Sequence, residues 1–113
     1  MLFDTGGANL ANSRFVGDGF IADLNHEGEA QQIIAAGATF TTMRCHVAVA
    51  GGSTNVFTFR VNGVNTTLTC TITAGQTNGS GTGSVSVAAG DLLDVATPAA
   101  NTTAQPASFA VGG

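Results

Sequence analysis

Between Phe59 and Thr73 the chain reads FRVNGVNTTLTCTIT, with threonine at Thr67, Thr69, Thr71 and Thr73 and with Leu68, Cys70 and Ile72 in the places between. Successive side chains of a β-strand point to opposite faces, so this period of two demands a strand with one apolar face and one hydroxyl face. Just before it, Asn62-Gly63 suits the positive backbone angles of a tight hairpin. The segment NVFTFRVNG supplies the partner strand, with Phe57, Phe59 and Val61 turned inward.

The same alternation recurs along the chain. TFTTMRCHVAVAGG sets Met43, Cys45, Val47 and Val49 on one face and Arg44, His46 and Ala48 on the other. QQIIAAG reads as a short strand, SVSVAAGDLLDVAT as two strands joined at Gly90, and PASFAVGG as the last. The stretch AGQTNGSGTG is expected to be a loop, because glycine and small polar residues order at a high entropic cost. Turn signals at roughly 8 to 12 residue spacing point to an all-β, antiparallel β-sandwich of two packed sheets.

Residues 1–29 differ from this pattern. They carry Asp4, Asp18, Asp23, Glu27 and Glu29, five of the seven acids, with irregular apolar spacing and short extended pieces at SRFVG and GFIADL. The division expected is an extended N-terminal arm over residues 1–29 and a β-sandwich domain over residues 30–113. Leu2, Phe3, Phe15, Phe20, Ile21 and Leu24 are the arm's apolar anchors for a partner.

Only 9% of the 113 residues are charged, against roughly 25% in an average soluble domain. A surface so poor in charge is expected to be covered, most simply by further copies of the chain. Lysine is absent, and Arg14, Arg44 and Arg60 stand singly in a chain of net charge −4, which excludes a nucleic-acid binder needing clustered cations. No apolar run approaches the roughly 20 residues of a membrane span. MLFDTGGANL lacks a basic start and a long apolar run, so synthesis in a cytoplasm is expected. In such a compartment Cys45 and Cys70, both at apolar positions of strands, read as packing rather than as a disulfide.

Candidate chemistry is sparse. Asp23, His26, Glu27 and Glu29 cluster in DLNHEGE, but no second histidine follows at metal-ligand spacing, so a hydrated turn is expected. No segment resembles a nucleophile elbow to serve His46, and no helix with Lys or Ser/Thr follows the glycine-rich loop to cradle a phosphate. No enzymatic activity and no cofactor are therefore expected. Asn65-Thr66-Thr67, Asn78-Gly79-Ser80 and Asn101-Thr102-Thr103 match the glycosylation tripeptide as chance would produce in this composition. The threonine face could order ice only if neighbouring strands repeated it, and a sugar site usually adds stacking aromatics, whereas Trp and Tyr are absent. Packing of β-branched threonine against another subunit is the remaining reading. Arg44, His46, Thr67, Thr69 and Thr71 are accordingly the expected oligomer or partner face.

An apolar piece ending in AAG, the strand TFTTMRCHVAVA, then VFTFRVNGVNTTLTCTITAG, a polar loop and SVSVAAGDLLDV together resemble a family of small all-β modules of tailed-bacteriophage virion proteins. The resemblance covers roughly residues 30 to 111 and is most specific in FRVNGVNTTLT and VSVAAGDLL. It implies a jelly roll of tumour-necrosis-factor-like shape, assembly as a homotrimer, a place on a virion, and no catalytic residue. The expectation that follows is a structural virion protein. It would be a capsid decoration or cement protein on the capsid surface, bound to the major capsid protein and made in the host cytoplasm. The alternative is a carbohydrate- or receptor-binding module of a fibre or tail.

Overall fold

Alternating burial appears wherever the sequence alternates. The computed structural model describes residues 1–102 and 104–113, so Thr103 of the third glycosylation tripeptide lies outside the described residues. Among the described residues there are ten strands: β1 (Leu2–Asp4), β2 (Phe15–Val16), β3 (Ile21–Ala22), β4 (Gln32–Ile33), β5 (Ala38–Val47), β6 (Asn55–Val61), β7 (Val64–Ile72), β8 (Asn78–Val87), β9 (Leu92–Ala96) and β10 (Ala107–Gly112). One 3-10 turn, Glu27–Glu29, lies between β3 and β4.

Hydrogen bonding joins the strands into one antiparallel sheet in the order β1-β10-β5-β8-β7-β6-β9-β2-β3, with β4 beside β9. The sheet curls until its ends meet. The Asp4 amide donates to the Gly17 carbonyl (2.9 Å) and the Phe20 amide donates to the Asp4 carbonyl (3.2 Å), so the barrel is nearly closed. Inside lie Phe3, Phe40, Phe57, Phe59 and Phe109 with Met43, Leu68, Leu93 and Val95. Ring pairs Phe40–Phe59 (5.5 Å) and Phe57–Phe109 (4.8 Å) meet at tilted or edge-on angles that suit the aromatic quadrupole.

The β6–β7 hairpin turns as its dipeptide predicts: Asn62 and Gly63 both have positive φ, 52° and 77°. The pair register shifts between Thr58 and Arg60, and the Thr66 hydroxyl bridges the irregularity. It donates to the Phe59 carbonyl (2.7 Å) and accepts from the Leu68 amide (3.2 Å).

Several expectations are corrected. AGQTNGSGTG is not a loop throughout, since Asn78 to Gly83 begin the ten-residue strand β8. Gly79 faces Cys45 in the β5–β8 register, and the β7 backbone crosses this bare face so closely that a Cβ at Gly79 or Gly81 would collide with the Thr71 or Thr69 carbonyl. Cys45 and Cys70 are disulfide-bonded, with Cα atoms 6.3 Å apart, because the same close crossing brings β5 and β7 together. Val49 is exposed, since β5 ends at Val47.

Residues 1–29 do not form a separate arm. They supply β1, paired with β10, then β2, paired with β9, and β3, paired with β2. Phe3, Leu10 and Val16 are buried in the main core. Phe3 and Phe15 thus anchor the chain to itself rather than to a partner, Phe3 buried in the main core against Phe59 and Phe15 buried with Ala22 and Ala30. Ile21 is half-buried against the core, while Leu2, Phe20 and Leu24 remain exposed.

Candidate partner-binding face

Inward placement of Met43, Cys45 and Val47 fixes Arg44 and His46 on the outside of β5. The register sets Arg44 between Ala110 of β10 and Ser80 of β8, and His46 between Ser108 and Asn78. Leu2 and Asp4 stand one strand further out, opposite Ala110 and Ser108. All of these residues except Ser80 line an open groove of about 330 Å³ across β1, β10, β5 and β8. His46 Nδ1 donates to Asn78 Oδ1 (2.8 Å), which fixes the ring's tautomer and turn.

Thr71 pairs with Ser80 of β8, and Ser80 with Arg44 of β5, so the structure brings Arg44, His46 and Thr71 onto one continuous outer surface. Thr67 is exposed and Thr69 half-buried further along β7, where Thr58 faces Thr69 and Val56 faces Thr71. Leu2, expected in an arm, lines the Arg44 groove instead, while Phe20 and Leu24 are not among its lining residues. Arg14 pairs with Asp23 (3.3 Å) and Arg60 with Glu27 (2.7 Å), whereas Arg44 has no ion-pair partner among the described residues. A free cation on a groove in an acidic protein is suited to meet an anionic group from outside.

Sequence reading missed a second cluster, on the outer face of β6 and β9. Leu93 and Val95 point into the core, so Asp94 between them points outward, yet it is 0% exposed, beside Arg60 and Glu27. Its cross-strand neighbour is Arg60. Four of the five guanidinium N–H donors point elsewhere: Nε and Nη2 donate to Glu27 Oε2 (2.7 Å) and Oε1 (3.0 Å), Nη1 to Asn65 Oδ1, and Nη2 also to the Gly63 carbonyl. Its carbon lies 5.1 Å from the centre of the Phe15 ring. Arg60 Nε is 4.0 Å from Asp94 Oδ1, and no donor reaches either Asp94 oxygen.

Burial, followed by the nearby Glu27, pushes the Asp94 carboxyl up to about 8. It is therefore protonated at neutral pH and can donate to the Glu27 carboxylate. Burial alone would raise Glu27 as well, but hydrogen bonds from Arg60 and Asp94 outweigh it and hold Glu27 below the ordinary carboxylate range. The available signal in the sequence was an acid set inside the apolar run Leu92 to Val95 of a chain with few charges.

The DLNHEGE residues are drawn apart by these pairings, Asp23 toward Arg14 and Glu27 toward Arg60. Among the described residues no three His, Cys, Asp or Glu side chains gather as a metal site. Comparison with protein-family models and with curated proteins finds no match for this chain.

Proposed function

We propose that the chain is a structural virion protein of a tailed bacteriophage, a capsid decoration or cement protein that forms homotrimers and binds the major capsid protein. The observation that carries the reading is the strand order. Split at the β7–β8 contact, it gives β1-β10-β5-β8 and β7-β6-β9-β2, the order in which the two four-stranded sheets of a jelly roll interleave. The outer face holding Arg44, His46 and Thr71 is poor in charge and would be hidden by sister copies or by the shell. Binding to assembled shell but not to free subunits would stabilise the shell by mass action. A disulfide suits a protein that works on a particle outside a cell.

Co-sedimentation of the purified protein with expanded, undecorated heads of the encoding phage tests the proposal. Saturable binding at a copy number set by the capsid lattice, lowered by Arg44→Glu, is expected. Absence of binding to intact heads would overturn it. The groove lined by Arg44, His46 and Asn78 favours the second reading, a carbohydrate- or receptor-binding module of a fibre or tail. That reading predicts retention on a glycan array and few copies per particle.

A further inference from the structure

The Asp94 cluster joins two paired strands of the sheet to a short turn whose backbone hydrogen bonds are local. Arg60 and Asp94 sit on β6 and β9, paired strands whose inward side chains are core. Glu27 sits on a 3-10 turn whose hydrogen bonds are local: His26 N–H to the Asp23 carbonyl (2.9 Å), Glu29 N–H to His26 (3.0 Å), and Ala30 N–H to Glu27 (2.9 Å). Beyond these, the segment is tied down by the double Glu27–Arg60 hydrogen bond, by the exposed Arg14–Asp23 pair (3.3 Å) and by Ala30, which is buried with Phe15 and Ala22 in a small apolar cluster outside the main core.

The charges facing Asp94 are Glu27 from the turn and Arg60 from β6. The other neighbours, β2 and β4, bring Phe15, Val16, Gln32 and Ile33, none of which ionises. One guanidinium thus faces two carboxyl groups, and its four hydrogen bonds leave Asp94 without a donor. A proton on Asp94 turns that group into a donor toward Glu27. Without the proton, a fully buried carboxylate would stand beside a partly buried one, where like charges repel more strongly than in water.

We propose that residues 23–30 form a proton-controlled clasp: one proton shared between Asp94 and Glu27 keeps the turn docked on β9 and β6, and its loss releases the turn. Relief comes from the turn because Asp94 and Arg60 are fixed by their strands. Release carries Glu27 to water and uncovers Phe15, Ala22 and Ala96, an apolar strip on the outer face of the sheet.

Amide hydrogen exchange of residues 26–31, normalised for intrinsic exchange and for amides in β5 and β6, tests the clasp. In the wild-type chain, protection of this segment is expected to fall by up to about tenfold per pH unit between about pH 5 and 8 and to level off above about 8, since opening releases one proton only while Asp94 is protonated in the docked state. Asp94→Asn retains a neutral donor toward Glu27, so its protection is expected to stay flat with pH. Wild-type protection that does not change with pH, or an equal fall in the variant, overturns the proposal. Should Asp94→Asn not fold, carbon NMR titration of the wild-type Asp94 carboxyl decides: an inflection near 8 supports the clasp, and one below neutrality overturns it.

Discussion

Two crossings hold this sheet in its curled shape, and they are built in opposite ways. Where β7 passes β8, space is made by omission: Gly79 and Gly81 present no side chain, the Thr71 and Thr69 carbonyls occupy the gap, and Cys45–Cys70 bonds the flanking strands. Where the Glu27 turn meets β9 and β6, charge is inserted: Arg60, Glu27 and Asp94 come together, and Asp94 has no exposure. The first crossing answers to thiols and ignores protons, and the second does the reverse. A chain with few ionic groups can therefore separate its responses, because each crossing relies on one kind of chemistry.

The largest effect is expected from the glycine crossing. Gly81→Val places a branched side chain against a backbone carbonyl that cannot move alone, and should cost about 4 kcal/mol or more, a size reserved for severe overpacking or strain. Urea denaturation checks this, and a loss under about 1 kcal/mol would show that β7 does not lie where described. Removing the disulfide in the Cys45→Ser, Cys70→Ser variant should cost about 3.5 kcal/mol in the chain-entropy account of a loop with sequence separation 25, with no change in pH dependence.

The smallest effect per step belongs to the charged crossing. Asp94 holds its proton in the folded state up to about 8, whereas in the unfolded chain it loses it near pH 4. Between those limits the folded state binds the extra proton, so stability falls as pH rises, by about 1.4 kcal/mol per unit at most, and levels off above about pH 8. Denaturation midpoints across pH 5 to 9 should show that slope in the wild type and lose it in Asp94→Asn, while the disulfide variant keeps it. Equal slopes in wild type and Asp94→Asn would erase the contrast between the crossings.

What the sequence disclosed followed from periodicity long enough to see. Strands β5, β6 and β7 run for seven to ten residues, so alternation separated Met43 and Cys45 from Arg44, and Leu68 and Cys70 from Thr67 and Thr71. The Asn62-Gly63 turn was legible because few other dipeptides take two positive φ angles. By contrast β1, β2 and β3 are two or three residues long, too short to display any period, and Phe3 and Phe15 were read as free anchors for that reason. In β8, alternation was present as Gly79, Gly81 and Gly83 against Ser80 and Thr82, but a face without side chains looks like a flexible loop. The Arg60–Glu27 pair spans 33 positions, and nothing local in either segment announces the other.

The seam between Asp4 and the β2–β3 hairpin has a bearing on crowding. Unpaired strand borders invite stacking between molecules, and natural proteins blunt them by closure or brevity. Here the first strand is stitched at its end to the far side of the barrel, and the border strands β3 and β4 are each two residues long. Little ladder is left for a stranger to extend, so many copies can be packed at close quarters without seeding fibrils.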